Sequence, residues 1–212
     1  MRNIPCFTTE YGIASLILKE IPYRNTAYVR IQSACDLDKL LSECCNFCRM
    51  AGADYVYATG HEGLVKYPFH TEIQLMRNAK DDLPDTNACL FPVTEQTLEK
   101  WRVIYNDKMR SVDNAAYLTI SDAKDLMEKK SPYFIHKDGV LLGIGMIDGE
   151  KVACVASVVK GAGREIMAAL CHGIFSESVT VEVASSNEKA IRLYKDLGFI
   201  PVSVISAWYQ IS

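Results

Sequence analysis

The stretch "VTVEVASSNEKAIRLYKDLGF", residues 179–199, decides the fold, because it predicts a strand, a turn and a helix in immediate succession. Side chains alternate between the two faces of a strand, so one face here carries only valines, at positions 179, 181 and 183. Glu182 therefore lies in mid-strand on the opposite face. A carboxylate in that position is either an ordinary strand residue or a group with a chemical role.

The helix in this stretch is predicted by its two ends and by its apolar stripe. Ser185 and Glu188 have the spacing of a capping box, with Ser186 and Asn187 as competing N-caps. The buried stripe then comprises Ala190, Leu193, Tyr194 and Leu197, before Gly198 ends the helix. This pattern accounts for a well-packed helix without any ligand.

A second signal precedes the strand, in "KGAGREIMAALCHG", residues 160–173. Gly161 and Gly163 stand between an apolar strand and an amphipathic helix, and glycine permits a close approach of the backbone. The first amides of a helix have no internal acceptor and attract anions such as phosphate. Taken alone, two glycines at such a turn also fit ordinary turn formation, so both interpretations stay open.

Together the two segments resemble the acetyl-CoA-binding core of the GNAT N-acetyltransferase superfamily. The resemblance rests on "GAGREIMAAL" followed by the spacing of Asn187, Ala190, Tyr194, Gly198 and Phe199. It extends over residues 89–212, since "LFPVTEQTLEKW" is similar to the first strand and helix of that family. Three strands predicted in residues 132–159, with Asp-Gly turns, are similar to the next three. The implied fold is α/β (α+β), with a mixed, mainly antiparallel central sheet flanked by helices.

The resemblance also implies a set of acetyl-CoA-binding residues and no metal. The pantetheine would run beside the strand that ends at Val158, and Asn187 would lie near the cofactor. The backbone amides that would hold the pyrophosphate belong to Gly161, Ala162, Gly163 and Arg164. One departure is that Val158 stands where the family has Arg or Gln, so Lys160 supplies the cation. This leaves open a domain that has lost activity.

Two catalytic residues follow from the same resemblance. Tyr194 would be the general acid, because a phenol with a pKa of about 10 can protonate a departing thiolate. The alternative is that Tyr194 only belongs to the helix stripe. Glu182, twelve residues earlier, is the first candidate for the general base, with Glu150 and Asp148 as alternatives.

The first part of the chain predicts an N-terminal β-α-β extension. "TAYVRIQSA" and "DYVYATG" are predicted strands on either side of a helix from Asp36 to Ala51. The polar stretch at residues 78–88 predicts a boundary between domains 1–88 and 89–212. Because the β-α-β run parallels residues 152–184 but lacks a glycine turn, we interpret residues 1–88 as a degenerate half-copy of the same fold.

Composition restricts the class of protein. With 212 residues, 49% of them hydrophobic, and a net charge of −3, the chain is expected to be soluble and to bind neither nucleic acid nor an anionic membrane. The apolar stretch from Ile13 to Leu18 is too short for a membrane span, so we expect a cytoplasmic protein. A homodimer stays open.

Of the eight cysteines, Cys44, Cys45 and Cys48 lie close together. Their helical spacing with neighbouring leucines favours the buried face of a helix, while a metal or redox role is the alternative.

The sequence therefore predicts one of two alternative functions. The first is transfer of an acetyl group from acetyl-CoA to a primary amine, on a small molecule or a peptide, by direct attack. The second is a non-catalytic acyl-CoA-binding or interaction module.

Overall fold

A computed structural model of the chain describes residues 5–113 and 115–212. The strands are β1 (Cys6–Thr9), β2 (Gly12–Ile17), β3 (Thr26–Ala34), β4 (Tyr55–Thr59), β5 (Phe69–Ala79), β6 (Cys89–Pro92), β7 (Pro132–Lys137), β8 (Val140–Asp148), β9 (Lys151–Ser157), β10 (Ser178–Ala184) and β11 (Ile200–Gln210). The α-helices are α1 (Ile21–Arg24), α2 (Leu37–Met50), α3 (Leu98–Met109), α4 (Ile120–Glu128), α5 (Gly163–His172) and α6 (Glu188–Asp196).

The chain forms two compact units. Unit 1 extends to Ile73 and includes Val204–Ser212, and unit 2 is Gln74–Ser203. The division falls inside β5 and inside β11, so each of these strands contributes residues to both units. The domain boundary expected near residue 88 stays a prediction, because spatial compactness does not test which segments fold independently.

Unit 1 is a sheet with α2 packed on it. Strands β1, β2 and β3 are antiparallel neighbours, and β4 lies parallel to β3 with the end of β11 antiparallel beside it. Helix α2 begins where Asp36 accepts a hydrogen bond from the Lys39 amide, and its apolar face meets the inner side chains of β3 and β4. The helix predicted from Asp36 to Ala51 is thus confirmed.

Unit 2 also contains antiparallel strands followed by a helix and a parallel strand, with further helices. Strands β6 to β9 are antiparallel neighbours, and α5 connects β9 to the parallel strand β10. One face of the sheet packs against α5 and α6, in a core that includes Val179, Val181 and Val183. The other face packs against α3 and α4 around the buried Trp101. We call these the α5/α6 face and the α3/α4 face.

The structure confirms the predicted fold class, a mixed and mainly antiparallel sheet flanked by helices. The strands and Asp-Gly turns predicted for residues 132–159 are β7, β8 and β9 with their connections. The capping box predicted between Ser185 and Glu188 is wrong, whereas Asn187, one of its two predicted competitors, is confirmed as the N-cap. The turn after β10 continues to Asn187, whose side-chain oxygen accepts from the Ala190 amide at 3.2 Å, while the Ser186 hydroxyl donates to Asp113.

Among residues 5–113 and 115–212, none of the helices has the length and apolar character to cross a bilayer.

Candidate functional site

The neighbouring parallel strands β9 and β10 separate after a short paired segment. Their ladder holds only Lys151 opposite Thr180 and Val152 opposite Val181, although β9 continues to Ser157 and β10 to Ala184. Backbone groups along the separated edges are therefore not paired with the adjacent strand, and buried backbone groups need partners. We call this opening the split. An extended ligand that enters it can take the place of a strand.

A β-bulge lies at the point where the split begins. Cys154 of β9 is opposite Met146 of β8, but the next pair joins Val152 to Ile147, so Ala153 has no partner. A bulge rotates the local peptide groups and turns successive side chains to the other face. Accordingly, Val152 belongs to the core of the α5/α6 face and Cys154 to that of the α3/α4 face. Sequence reasoning missed this feature, because nothing in the local pattern marks Ala153.

The N-terminus of α5 has free amide donors. Ala162 is the N-cap and provides no side-chain hydrogen bond. Its amide donates to the Val159 carbonyl at 3.2 Å, and the Ile166 amide donates to the Ala162 carbonyl at 3.0 Å. Within the described chain, the intervening amides of Gly163, Arg164 and Glu165 have no backbone acceptor. Such a set of donors at the positive end of a helix favours an anion.

Gly161 provides the turn that leads to these amides. Its φ is +86°, in the left-handed region that favours glycine. Apart from Gly161 and its two chain neighbours, no described residue has an atom within 4 Å of the position where a Cβ would stand, so this side of the turn is open. Val158 and Lys160, which precede it, are also exposed. The open turn and the exposed Lys160 are compatible with a phosphate group at this place.

Two charged side chains of the first turn of α5 have partners. The Arg164 guanidinium donates to the Asp196 carbonyl at 3.0 Å, which joins α5 to the end of α6. The Glu165 carboxylate lies 2.8 Å from the Lys137 ammonium, and its hydrogen bond raises the pKa of Lys137. The negative charge of the first turn is therefore balanced by Lys137.

Tyr194 lies in the core of the α5/α6 face. It is 8% exposed, and its ring centroid is 5.9 Å from that of Phe199. Burial raises the pKa of Tyr194, and the nearby thiols of Cys154 and Cys171 add to the rise. No described residue forms a hydrogen bond with its hydroxyl. Tyr194 is therefore a neutral phenol with an unused proton.

Glu182 lies on the other face of β10, at the first position beyond the last ladder pair. Its Oε1 is 2.9 Å from the Lys151 Nζ, and both side chains are partly exposed. Sequence reasoning placed Glu182 on the correct face but missed Lys151, which is 31 residues away in the chain. Asp148 and Glu150 precede the paired ends of the strands, where the Glu150 carbonyl accepts from the Thr180 amide.

Asn187 is the N-cap of α6 and lies two residues after Ser185, where the capping box is predicted to begin. The side-chain oxygen is occupied by the Ala190 amide, which leaves the amide NH₂ group available as a donor. The structure therefore places Tyr194 and Glu182 on opposite faces of β10 near the split, with the α5 turn and Asn187 on elements that follow β9 and β10.

The cysteine cluster of α2 has a different character. Cys44, Cys45 and Cys48 are buried in the core of unit 1. Burial raises the pKa of Cys44 to about 12 and that of Cys48 to about 11, so these thiols stay protonated. In the described part of the chain, no group of three or more His, Cys, Asp or Glu side chains is arranged to hold a metal ion.

Comparisons with known proteins extend these observations at the level of the fold. No family model matches the sequence, and no curated protein matches it. Solved structures do match. One is a functionally unknown conserved protein of Staphylococcus epidermidis, with 11% identity, a TM-score of 0.59, and coverage of 99% of this chain and 94% of that one.

Two further matches are named as acetyltransferases or as GNAT proteins. The GCN5-related N-acetyltransferase of Sphaerobacter thermophilus has 11% identity and a TM-score of 0.57, over 93% of this chain and 75% of its own. A tandem GNAT protein from the clavulanic acid biosynthesis pathway has 12% identity and a TM-score of 0.56, over 94% and 78%. The chain therefore has a GNAT-type fold, as the motif resemblance implied.

Proposed function

We propose that unit 2 is an N-acetyltransferase domain, which moves an acetyl group from acetyl-CoA to a primary amine by direct attack. The observation that carries the proposal is the split between β9 and β10, which begins at a bulge and has a neutral tyrosine on one face and a carboxylate on the other. The GNAT-type fold of the chain supports the same activity. The acceptor is a small amine or a peptide.

Acetyl-CoA fits this arrangement as the acyl donor. Its pyrophosphate would accept hydrogen bonds from the amides of Gly161, Gly163 and Arg164, with Lys160 as the neighbouring cation. Ala162 belongs to this turn, but its amide already donates to the Val159 carbonyl and is therefore not one of these donors. The pantetheine, which carries amide groups, would follow the separated edge of β9 as far as the exposed Val158. The NH₂ group of Asn187 is a further donor.

The reaction requires a general acid that protonates the departing sulfur and a general base that accepts a proton from the amine. The amine nitrogen attacks the thioester carbon, the carbon–sulfur bond breaks, and the sulfur receives a proton from the Tyr194 hydroxyl. The amine loses a proton to Glu182, directly or through a water molecule. An acid on the α5/α6 face and a base on the α3/α4 face place the leaving group and the incoming amine on different sides of the reacting carbon.

A second candidate is a non-catalytic acyl-CoA-binding module. It is favoured by the ion pair of Glu182 with Lys151, since the ammonium already occupies the Glu182 Oε1 that a base would offer to the amine. Val158, which stands where the resemblance leads us to expect Arg or Gln, favours it as well. For catalysis, the substrate has to open this ion pair.

One experiment distinguishes the two. Acetyl-CoA binding is measured by calorimetry, and free thiol is followed while acetyl-CoA is incubated with a panel of amines, amino acids and peptides. We expect binding together with acceptor-dependent release of thiol. Binding without release for every acceptor supports the module, and no binding at all contradicts both functions. Loss of acetyl-CoA binding in Gly163→Val would identify the turn before α5 as the binding site.

A further inference from the structure

We propose that the acceptor is an α-amino acid or a similar small zwitterion, recognised by the Lys151–Glu182 ion pair at the split. This inference rests on the proposed function and adds the substrate class to it. A carboxylate on the same carbon as the amine is the chemical feature that the site would select.

The position of the ion pair is the first step. Lys151 is opposite Thr180, one residue before the last ladder pair, and Glu182 comes one residue after it. Their contact of 2.9 Å crosses from β9 to β10 on the α3/α4 face. A positive and a negative charge therefore stand side by side where the two strands part, on the side from which the amine would approach.

The exposure of the pair is the second step. The Lys151 side chain is 30% exposed and the Glu182 side chain 40% exposed. Exposed ion pairs add little to folding stability, because water solvates both partners well when they separate. A charged ligand can thus replace each partner at low cost. By contrast, Thr180, which lies opposite Lys151 and precedes Glu182 by two residues, is buried, so the strand beneath the pair is packed.

Charge complementarity selects the ligand. The ammonium of an amino acid can face Glu182 while its carboxylate faces Lys151, so all four charges keep an opposite partner. A polyamine or a simple amine would instead bring its ammonium close to that of Lys151, and like charges at short distance repel. The pair therefore favours zwitterions and disfavours acceptors that carry only positive charge.

The same geometry serves the reaction. A carboxylate held by Lys151 releases Glu182 from its ion pair and places the substrate nitrogen beside it. Glu182 takes one proton from the ammonium before attack and passes it to water. The neutral nitrogen then forms the bond to the acetyl carbon and gives its second proton to Glu182, while the carbon–sulfur bond breaks and the sulfur receives the Tyr194 proton, which water later restores. Lys151 binds substrate and takes no proton in this step.

The test uses matched acceptors, each an amino acid, its amide and the corresponding amine without the carboxyl group. For the wild-type protein we expect kcat/KM to be roughly tenfold or more higher for the amino acid than for its amide. Lys151→Met should abolish this preference by raising KM for the amino acid, and Lys151→Arg should retain most of it. Lys66→Met removes a cation from a comparable exposed ion pair in unit 1 and should leave the preference unchanged.

Equal kcat/KM for all three acceptors, or a preference that survives in Lys151→Met, overturns the inference and leaves the acetyltransferase activity intact. If no acceptor is acetylated, binding is measured directly, by titrating each acceptor into the CoA-saturated protein and following NMR shifts. Amino acids that bind no better than their amides overturn the inference there too. Absence of acetyl-CoA binding, in contrast, contradicts the proposed function itself.

Discussion

The two β-α-β segments of the chain have the same order of elements and different strand pairing. In unit 1, β3 and β4 are paired from Thr26–Tyr55 to Arg30–Thr59, over the full length of β4. In unit 2, the pairing of β9 and β10 stops at Val152–Val181. One segment is therefore a closed sheet and the other has a split. The same order of elements is therefore compatible with different ladder lengths, and the proposed site lies where the ladder is short.

The N-termini of the helices in the two segments differ as well, because that of α2 is capped by a carboxylate and that of α5 has free amides. Helix α2 begins at Leu37 after Asp36, whose carboxylate accepts the Lys39 amide, and this hydrogen bond holds the pKa of Asp36 below its usual value. Helix α5 begins at Gly163 after Ala162, with free amides. A carboxylate already occupies the place where an anion would bind α2. We interpret unit 1 as a degenerate copy of unit 2 that retains the order of elements without the binding features.

The largest effect is expected when access to the free amides of α5 is blocked, since α2 has no such free site. Gly163→Val should abolish acetyl-CoA binding, because a branched side chain beside the free amides blocks the approach of phosphates. A Cβ at this position would lie 3.1 Å from the Leu193 Cδ2, at the end of a flexible side chain, so Gly163→Ala is the tolerated control. Calorimetry measures both variants. Unchanged affinity in Gly163→Val would exclude this turn as the phosphate site.

Tyr194→Phe should lower turnover by roughly one to three orders of magnitude and leave acetyl-CoA affinity nearly unchanged, as expected for loss of a general acid. The hydroxyl has no hydrogen bond to any residue in the described part of the chain, so stability should hardly change. The matched control is Tyr67→Phe in unit 1, where the hydroxyl lies 3.3 Å from Asp38. A Tyr194→Phe protein with full turnover would make Tyr194 a packing residue only.

The elements on both sides of this comparison could be predicted from sequence, because helix stripes, strand alternation and Asp-Gly turns are local patterns. The face of Glu182 followed from the same alternation. The split could not be predicted, since it depends on where two distant strands stop pairing, and Ala153 has no distinctive side chain. Lys151, the partner of Glu182, was missed because it is 31 residues away in the chain and comes near only through strand pairing. The cap of α6 could not be assigned to one residue, because the three adjacent residues Ser185, Ser186 and Asn187 all suit that position.

A smaller effect concerns pH. A phenol donates its proton only below its pKa, and the upward shift at Tyr194 extends this protonated range to higher pH. As pH rises, more of the amine is neutral, so kcat/KM should increase and should not fall before pH of about 10, the ordinary pKa of tyrosine. Initial rates from pH 6 to 10, with Tyr194→Phe as control, measure this. A decline between pH 8 and 9 that is absent from the variant would show that Tyr194 has a lowered pKa.

The smallest effect is expected when helix caps are removed, and two such variants distinguish the loss of a cap from the loss of a ligand contact. Asp36 in unit 1 and Asn187 in unit 2 each accept a backbone amide at 3.2 Å, so Asp36→Ala and Asn187→Ala remove the same type of cap. Each should lower Tm by about 2–4 °C. Only Asn187→Ala should also weaken acetyl-CoA binding, because its NH₂ group is lost near the split. Asp36→Ala should not create binding at α2, since the fully paired β3 and β4 leave no opening beside it. Altered acetyl-CoA affinity in Asp36→Ala would therefore contradict the division between a closed and an open β-α-β segment.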